Sequence, residues 1–151
     1  MEVNVSIEDE SILAALSEEW FYTQAEQILQ LCSAGPSEMG ISLVDLSRMR
    51  EINRKHRHID SATDVIAFQM ECADGFVVPN DMRHLGDVVI CVPVAINQAQ
   101  EYECSVEQEV RRLLIHGILH LLGFDHEQER DEKHMNLEEE RIALALEKHY
   151  G

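Results

Sequence analysis

Three histidines in the C-terminal third of the chain have the spacing of ligands to one metal ion. The stretch from Ile115 to His126 reads IHGILHLLGFDH and contains His116, His120 and His126. Side chains four residues apart on a helix project from the same face, with their Cβ atoms about 6 Å apart. Gly123 then allows the chain to leave the helix and fold back, so that His126 can supply a third nitrogen. A lone histidine is most simply a core residue bonded to a carbonyl, but three at this spacing predict a metal site.

The H-x-x-x-H-x-x-G-x-x-H spacing equals that of the metzincin proteases, whose motif begins H-E-x-x-H. In those enzymes the glutamate takes a proton from the metal-bound water, whereas the corresponding residue here is Gly117. The sequence therefore argues against amide hydrolysis but keeps the geometry of a catalytic metal site. Three imidazoles with an open fourth position are typical of catalytic zinc, although nickel, copper and iron also bind imidazole.

An ion held in this way favours the hydrolysis of phosphodiesters. Zinc lowers the pKa of a bound water to about 7, far below that of free water, so an attacking hydroxide needs little help from a protein base. A locally basic segment supplies candidates for holding the phosphate, namely Arg48, Arg50, Arg54, Lys55 and Arg57. We expect Arg57 or a neighbour to bind the scissile phosphate. From spacing alone, Arg57 could instead pair with Asp60 or Asp64.

Three aspartates are candidates for orienting a ligand imidazole, because metal-binding histidines usually donate their second ring N–H to a carboxylate or carbonyl. Asp125 is adjacent to His126, and Asp64 and Asp87 lie at predicted strand positions. The simpler interpretation is that Asp125 caps a turn and that the other two make hydrogen bonds at strand ends.

The elements that must position these residues alternate between strands and helices. Alternating or continuous apolar runs predict strands over Val3–Ile7, Ile41–Leu46, Thr63–Met70 and Asp87–Val92, with Thr63–Met70 as a central strand. Helical spacing predicts helices over residues 9–32, 95–104 and 128–148. Capping residues predict two more: a short basic helix capped by Ser47, and a helix that begins at a capping box of Ser105 and Gln108 and ends at Gly123. Residues 71–84 are predicted to form a loop or hairpin.

This order of elements predicts an α/β (α+β) fold. We expect a small mixed sheet of about four strands packed with about five helices, and the metal site at the end of a central helix. The chain has 151 residues, of which 45% are hydrophobic and 27% charged, which fits one compact domain over residues 1–151.

Composition also limits the location and partners of the protein. No uncharged apolar stretch is long enough to cross a bilayer and the N-terminal residues are acidic, so we expect a cytoplasmic protein. Cys32, Cys72, Cys91 and Cys104 have no close pairing and are expected to be thiols. The net charge of -17 argues against indiscriminate binding to nucleic acid.

The segments around the candidate site resemble the YbeY family of bacterial endoribonucleases and ribosomal RNA maturation factors. The resemblance rests on HGILHLLGFDH at 116–126, INRKHRHIDSATDVIAF at 52–68, LGDVVIC at 85–91, QA at 98–99, and a trailing helix with Met135 and Glu139. Phe124 stands where the family usually has tyrosine, so any role of that hydroxyl is missing here. Gln69 replaces a frequent proline, a departure expected to affect only a strand end.

The resemblance implies one zinc ion per chain on His116, His120 and His126, cleavage of single-stranded RNA, and a site role for Arg57. It also implies action on precursor 16S ribosomal RNA, chiefly at its 3′ end, and a part in ribosome quality control. The partners implied are that RNA and, on the small ribosomal subunit, one of its proteins or an assembly GTPase. Neither a membrane nor DNA is expected as a partner.

Three functions therefore stand beside one another. The first is a metal-dependent endoribonuclease with His116, His120, His126 and Arg57 as its catalytic residues. The second is a non-catalytic ribosome-assembly binding factor whose metal is structural, which the strong negative charge favours. The third, a peptidase of metzincin geometry, is disfavoured by Gly117.

Overall fold

A four-stranded mixed sheet forms the centre of the protein. The computed structural model describes residues 1–70, 82–124 and 129–150. The strands are β1 (Glu2–Ile7), β2 (Ser37–Val44), β3 (Val65–Gln69) and β4 (Arg83–Cys91), in the spatial order β1-β2-β4-β3. β1, β2 and β4 are parallel to one another, and β3 is antiparallel to β4.

Five α-helices and one 3-10 helix within the described residues cover this sheet. The 3-10 helix spans Glu10–Ala14, and the α-helices are α1 (Glu18–Leu31), α2 (Leu46–Arg57), α3 (Val92–Glu101), α4 (Val106–Leu121) and α5 (Glu129–Tyr150). The main hydrophobic cluster joins one sheet face to α1, α4 and α5, and a smaller cluster lies under α2 on the other face. The predicted α/β fold with about four strands and five helices is confirmed.

The single helix predicted over residues 9–32 is wrong. Asp9 caps the 3-10 helix, and Ser17 then caps α1 by accepting a hydrogen bond of 3.1 Å from the Trp20 N–H. Short polar side chains at these positions satisfy amides that would otherwise lack partners at a helix start. The chain therefore ends one helix and begins another.

The prediction of Thr63–Met70 as a central strand is also wrong, because β3 lies at the edge of the sheet. The apolar run has another cause: Ile66 packs into the cluster under α2, while Val65 and Ala67 pack against the main cluster on the opposite face. A strand covered on both faces is apolar throughout, whether it is central or at an edge.

One of the two helix caps predicted near the candidate site is confirmed, and the other is wrong. Asp45, and not Ser47, caps α2: its Oδ1 accepts a 2.8 Å hydrogen bond from the Arg48 N–H. The predicted capping box of α4 is confirmed by two 3.0 Å hydrogen bonds between Ser105 and Gln108. Gly123, with a φ of 99°, follows the end of α4 as predicted.

The described helices and cysteines bear on the expected location and redox state of the protein. No helix in the described ranges is long and apolar enough to cross a membrane. Cys32, Cys91 and Cys104 are free thiols, and Cys72 lies outside the described residues. Burial raises the pKa of the Cys32 thiol to about 11, so this group stays protonated at neutral pH.

Candidate active site

Two of the three predicted ligands lie together on one face of α4. The ring centroids of His116 and His120 are 4.7 Å apart, with 72° between the ring planes. His126 lies outside the described residues, as does Asp125. Within the described ranges, no three His, Cys, Asp or Glu side chains are grouped closely enough to hold an ion. A third ligand from His126 and a supporting role for Asp125 therefore stay predictions.

A carboxylate on α5 orients His116. The Oε1 atom of Glu139 lies 2.7 Å from the Nδ1 atom of His116, and these side chains are only 23% and 30% exposed. Because a carboxylate accepts hydrogen bonds, the proton of the neutral imidazole belongs on Nδ1, and Nε2 then carries the lone pair that a metal needs. Metal-binding histidines usually have such a carboxylate or carbonyl partner.

The role of Glu139 is not predictable from the sequence, where this residue enters only as part of the family resemblance. Three consecutive glutamates occur here, in the segment LEEER at residues 137–141. Helical periodicity shows that they face different directions, but it does not show which of them faces α4. The orientation of α5 against α4 decides this.

Packing explains why the metzincin glutamate is replaced by Gly117. A Cβ atom at this position would lie 2.6 Å from the Cγ1 atom of Val88 on β4. No glutamate side chain fits between α4 and the sheet without moving one of them. The absence of the peptidase base is therefore a consequence of the close packing of Gly117 against Val88 of β4.

The two histidines face a cavity of about 540 Å³, which we call the histidine cavity. Its walls are the end of α2, the edge strand β3 and the C-terminal half of α4. The lining residues with polar or ionisable side chains are His56, Arg57, Thr63, Asp64, His116 and His120. The Phe68 ring of β3 contacts the His56 ring at a centroid distance of 4.9 Å, which joins α2 to the edge strand.

Arg57 lines this cavity with an exposed side chain and makes no ion pair with any other described residue. Pairing with Asp60 is wrong, because Asp60 accepts hydrogen bonds of 2.8 and 3.0 Å from Arg50. This guanidinium lowers the pKa of the Asp60 carboxyl. Asp64 instead accepts a 2.7 Å hydrogen bond from the Val65 N–H and lies 3.9 Å from Arg112. Arg57 is therefore available to a ligand.

The structure separates the two strand aspartates that the sequence treats alike. Asp64 lines the histidine cavity at the start of β3. Asp87 is exposed on β4 next to Val88, and since Val88 faces Gly117, the alternation of side chains directs Asp87 to the opposite face of the sheet. Asp87 does not line the histidine cavity, so the structure does not place it beside His116 or His120.

The two departures from the family pattern lie at the end of α4. The Gln69 Nε2 atom donates a 3.3 Å hydrogen bond to the Leu121 carbonyl, so this residue ties β3 to the histidine helix and affects more than a strand end. The Phe124 ring lies 5.2 Å from the His134 ring of α5. Both contacts hold the end of α4 against its neighbours.

The chain is similar to known proteins over most of its length. The family model described as Endoribonuclease YbeY matches residues 2–147. An Endoribonuclease YbeY of Bacillus mycoides is 48% identical over 114 residues, which are 73% of each chain. One of Staphylococcus saprophyticus is 38% identical over 136 residues, covering 86% of this chain and 88% of its own.

A solved structure shares the fold. The solution structure of TM1509 from Thermotoga maritima matches 93% of this chain and 86% of its own, with a TM-score of 0.64 and 23% identity. The resemblance predicted from the histidine and arginine segments is confirmed by the family match and by the two bacterial relatives. The chain therefore belongs to the YbeY family of endoribonucleases.

Proposed function

We propose that this protein is a metal-dependent endoribonuclease that cleaves single-stranded RNA. Family membership supports RNA cleavage as the reaction. The observation that carries the proposal is a set of groups around one cavity. His116 and His120 lie on one helix face, Glu139 bonds to His116, and Arg57, which has no ion pair within the described residues, lies on the wall formed by α2.

We assign one zinc ion to His116, His120 and His126. The donor set fits this metal, since two imidazoles at one-turn spacing are present and the Glu139 carboxylate directs the Nδ1 proton of His116 away from the metal-binding nitrogen. When bound, zinc would polarise a phosphoryl oxygen and lower the pKa of water.

Arg57 is the residue that we assign to the scissile phosphate. A guanidinium presents a planar fork of N–H donors that matches two phosphate oxygens, and the one of Arg57 is not neutralised by a carboxylate in the described structure. As negative charge develops on the phosphate in the transition state, the Arg57 donors hold it in place. A well-placed donor of this kind lowers the barrier by about 3 kcal/mol.

Single-stranded RNA fits the site better than duplex. The histidines are half-buried within a cavity, so the phosphate has to enter between α2 and α4. A flexible strand can splay its bases and bend its backbone into such a cavity, whereas an A-form duplex is recognised across its wide, shallow minor groove. We further propose precursor 16S ribosomal RNA as the substrate, cut near its 3′ end, with a role in ribosome quality control.

The net charge bears on how this RNA is reached. A charge of -17 lowers the general affinity for a polyanion, so we infer that a small-subunit protein or an assembly GTPase brings the enzyme to its substrate in the cytoplasm.

The proposal is tested by incubating purified protein with a labelled RNA from the 3′ end of precursor 16S ribosomal RNA, single-stranded and annealed to a complement. We expect cleavage of the single strand, protection of the duplex, and loss of cleavage after metal removal. No cleavage of the single strand, or full activity of protein verified to be metal-free, would contradict the proposal.

A second candidate function is a binding factor for the immature small subunit whose metal is structural. The net charge of -17 favours this candidate, because it makes the free protein a poor general RNA binder. In that case chelation would lower the melting temperature strongly, because metal binding contributes to folding, and pure protein would cleave no RNA at any concentration. Melting curves with and without chelator, run beside the cleavage assay, separate the two functions.

A further inference from the structure

A second cavity lies on the far side of Glu139 and bears on how RNA is held. This cavity of about 560 Å³, here called the tyrosine cavity, lies between the end of α3, α4 and α5. Tyr102, Ile115 and Ala143 contribute its apolar lining. Glu139 lines this second cavity, and its carboxylate bonds to His116 of the histidine cavity. The hydrogen bond between Glu139 and His116 therefore links a residue of one cavity to a residue of the other.

One face of α4 connects the two cavities. Arg112, His116 and His120 follow one another at intervals of four residues, so their side chains lie along the same face. Arg112 precedes His116 by about 6 Å along the helix axis. Its Nη2 atom lies 3.9 Å from Asp64, which lines the histidine cavity. A strand with its phosphate at the histidines would reach Arg112 within about one nucleotide.

The charge of Arg112 is already neutralised. Its Nε and Nη2 atoms donate hydrogen bonds of 2.9 and 2.7 Å to the two carboxylate oxygens of Glu109, which is 1% exposed. This pairing leaves Arg112 poorly suited to binding a phosphate but fixes the orientation of its planar group. The guanidinium carbon lies 5.9 Å from the centre of the Tyr102 ring.

Tyr102 is an exposed aromatic residue on a rigid support. Its residue surface is 56% exposed, although most large apolar residues in the described ranges are buried. The Tyr102 N–H bonds to the Gln98 carbonyl at 2.8 Å, and the turn continues through Glu103 with a φ of 54°. A non-glycine residue in this left-handed conformation is strained and is held by the surrounding turn. The ring is thus presented to the cavity by a fixed backbone.

We propose that the tyrosine cavity is a base-binding subsite, in which one unpaired nucleobase next to the cleaved bond stacks on Tyr102 and Arg112. Unpaired RNA bases are recognised by stacking on aromatic rings and guanidinium planes. Glu139 and Glu147 line the cavity and repel phosphate, whereas a base carries no charge. The inference rests on the proposed function and adds to it a contact that selects single-stranded RNA.

Equilibrium binding of a labelled single-stranded RNA tests this subsite. The measurement uses fluorescence anisotropy with His120→Ala protein, so that the strand stays intact. We expect Tyr102→Ala to weaken binding by about 5- to 150-fold, the equivalent of one lost stacking contact. Tyr102→Phe, which keeps the ring, should bind normally. Leu13→Ala is the matched control, because Leu13 is an exposed apolar residue of the 3-10 helix after β1 and lines neither cavity.

Abasic RNA identifies the contact. An abasic nucleotide is placed in turn on either side of the cleaved bond. At one of these positions we expect abasic RNA to bind the protein that retains Tyr102 as weakly as intact RNA binds the Tyr102→Ala variant. Combining the abasic RNA with the Tyr102→Ala variant should weaken binding no further. The subsite would be overturned if the Tyr102→Ala variant bound intact RNA as tightly as the protein that retains Tyr102. It would also be overturned if the losses of affinity from the abasic RNA and from Tyr102→Ala multiplied when the two were combined. Melting curves establish that the variant is folded.

The binding and cleavage results separate this proposal from the proposed function. Binding that depends on Tyr102, combined with no cleavage by the otherwise wild-type enzyme, contradicts the nuclease alone. Normal cleavage with binding that is independent of Tyr102 contradicts the subsite alone.

Discussion

The two faces of helix α4 meet different surroundings. On the face toward the sheet, Gly117 lies against Val88 with no room for a single added carbon, and Leu114 and Ile118 are fully buried. On the other face, His116 and His120 are half-buried and line the histidine cavity. The same helix is thus packed to its limit on one side and open to ligands on the other.

This difference separates positioning from chemistry. The closed face fixes the distance and rotation of α4 relative to β4, because a packed interior does not yield easily. The open face then presents its polar groups at defined places, with Glu139 compensating the partial burial of His116. Substitutions on the open face should change activity more than stability, and substitutions on the closed face should do the reverse.

The largest effect is expected from His116→Ala. Removing one ligand from a set that acts as a unit should lower RNA cleavage by more than about 1000-fold. The fold should persist, since this side chain is 30% exposed and leaves little unfilled space. Initial cleavage rates and circular dichroism spectra test both statements. His84→Ala, on β4 and paired with Glu38, is the control; similar losses in the two variants would refute the assignment.

Arg57→Ala should have the second largest effect, a loss of roughly 100-fold in kcat/KM for RNA cleavage. Arg50→Ala on the same helix is a matched control, because its guanidinium is already bonded to Asp60 at 2.8 Å. We expect that variant to cleave RNA at nearly the wild-type rate. Equal losses for both arginines would mean that α2 contributes only general positive charge.

Glu139→Gln should act through His116. The amide keeps the shape of the carboxylate but no longer holds the Nδ1 proton as strongly, so zinc affinity should fall by about 10- to 100-fold. Competition with a chelating dye measures this affinity, and excess zinc should restore cleavage. Glu138→Gln, whose carboxylate pairs with Arg141, is the adjacent control. An activity loss that excess zinc does not restore would contradict a role in positioning the ligand.

Gly117→Ala tests the closed face and should give the smallest effect. We expect the free energy of unfolding to fall by about 1–3 kcal/mol, since the new methyl overlaps Val88. Adding Val88→Ala should recover part of this lost stability, because the smaller side chain makes room for the new methyl group. Denaturant unfolding of the single and double variants gives the comparison. A stabilised single variant would show that the helix is not held as closely as described.

The helix geometry made part of the site predictable. His116 and His120 are placed together by helical periodicity alone, and Gly123 ends the helix after them as expected. The capping box was also predictable, because its hydrogen bonds join Ser105 and Gln108, which are only three residues apart. The mixed α/β fold followed from the alternation of apolar patterns.

Other features depend on contacts between distant segments, which the sequence pattern does not contain. Arg50 and Arg57 are both candidates for pairing with Asp60, and only the path of the turn after α2 decides for Arg50. Asp64 and Asp87 both belong to strand regions, but only Asp64, just before the edge strand β3, lines the histidine cavity. The edge position of β3 was hidden because both of its faces are covered.

The central claim, that the open face of α4 holds the metal on which cleavage depends, is tested most directly by combining elemental analysis with a cleavage assay on one preparation. We predict about one zinc per chain in the purified protein. Removal of the metal should abolish cleavage of single-stranded RNA, and stoichiometric zinc should restore it. Undiminished cleavage by protein with no detectable metal, or an unchanged zinc content in His116→Ala, would contradict the claim.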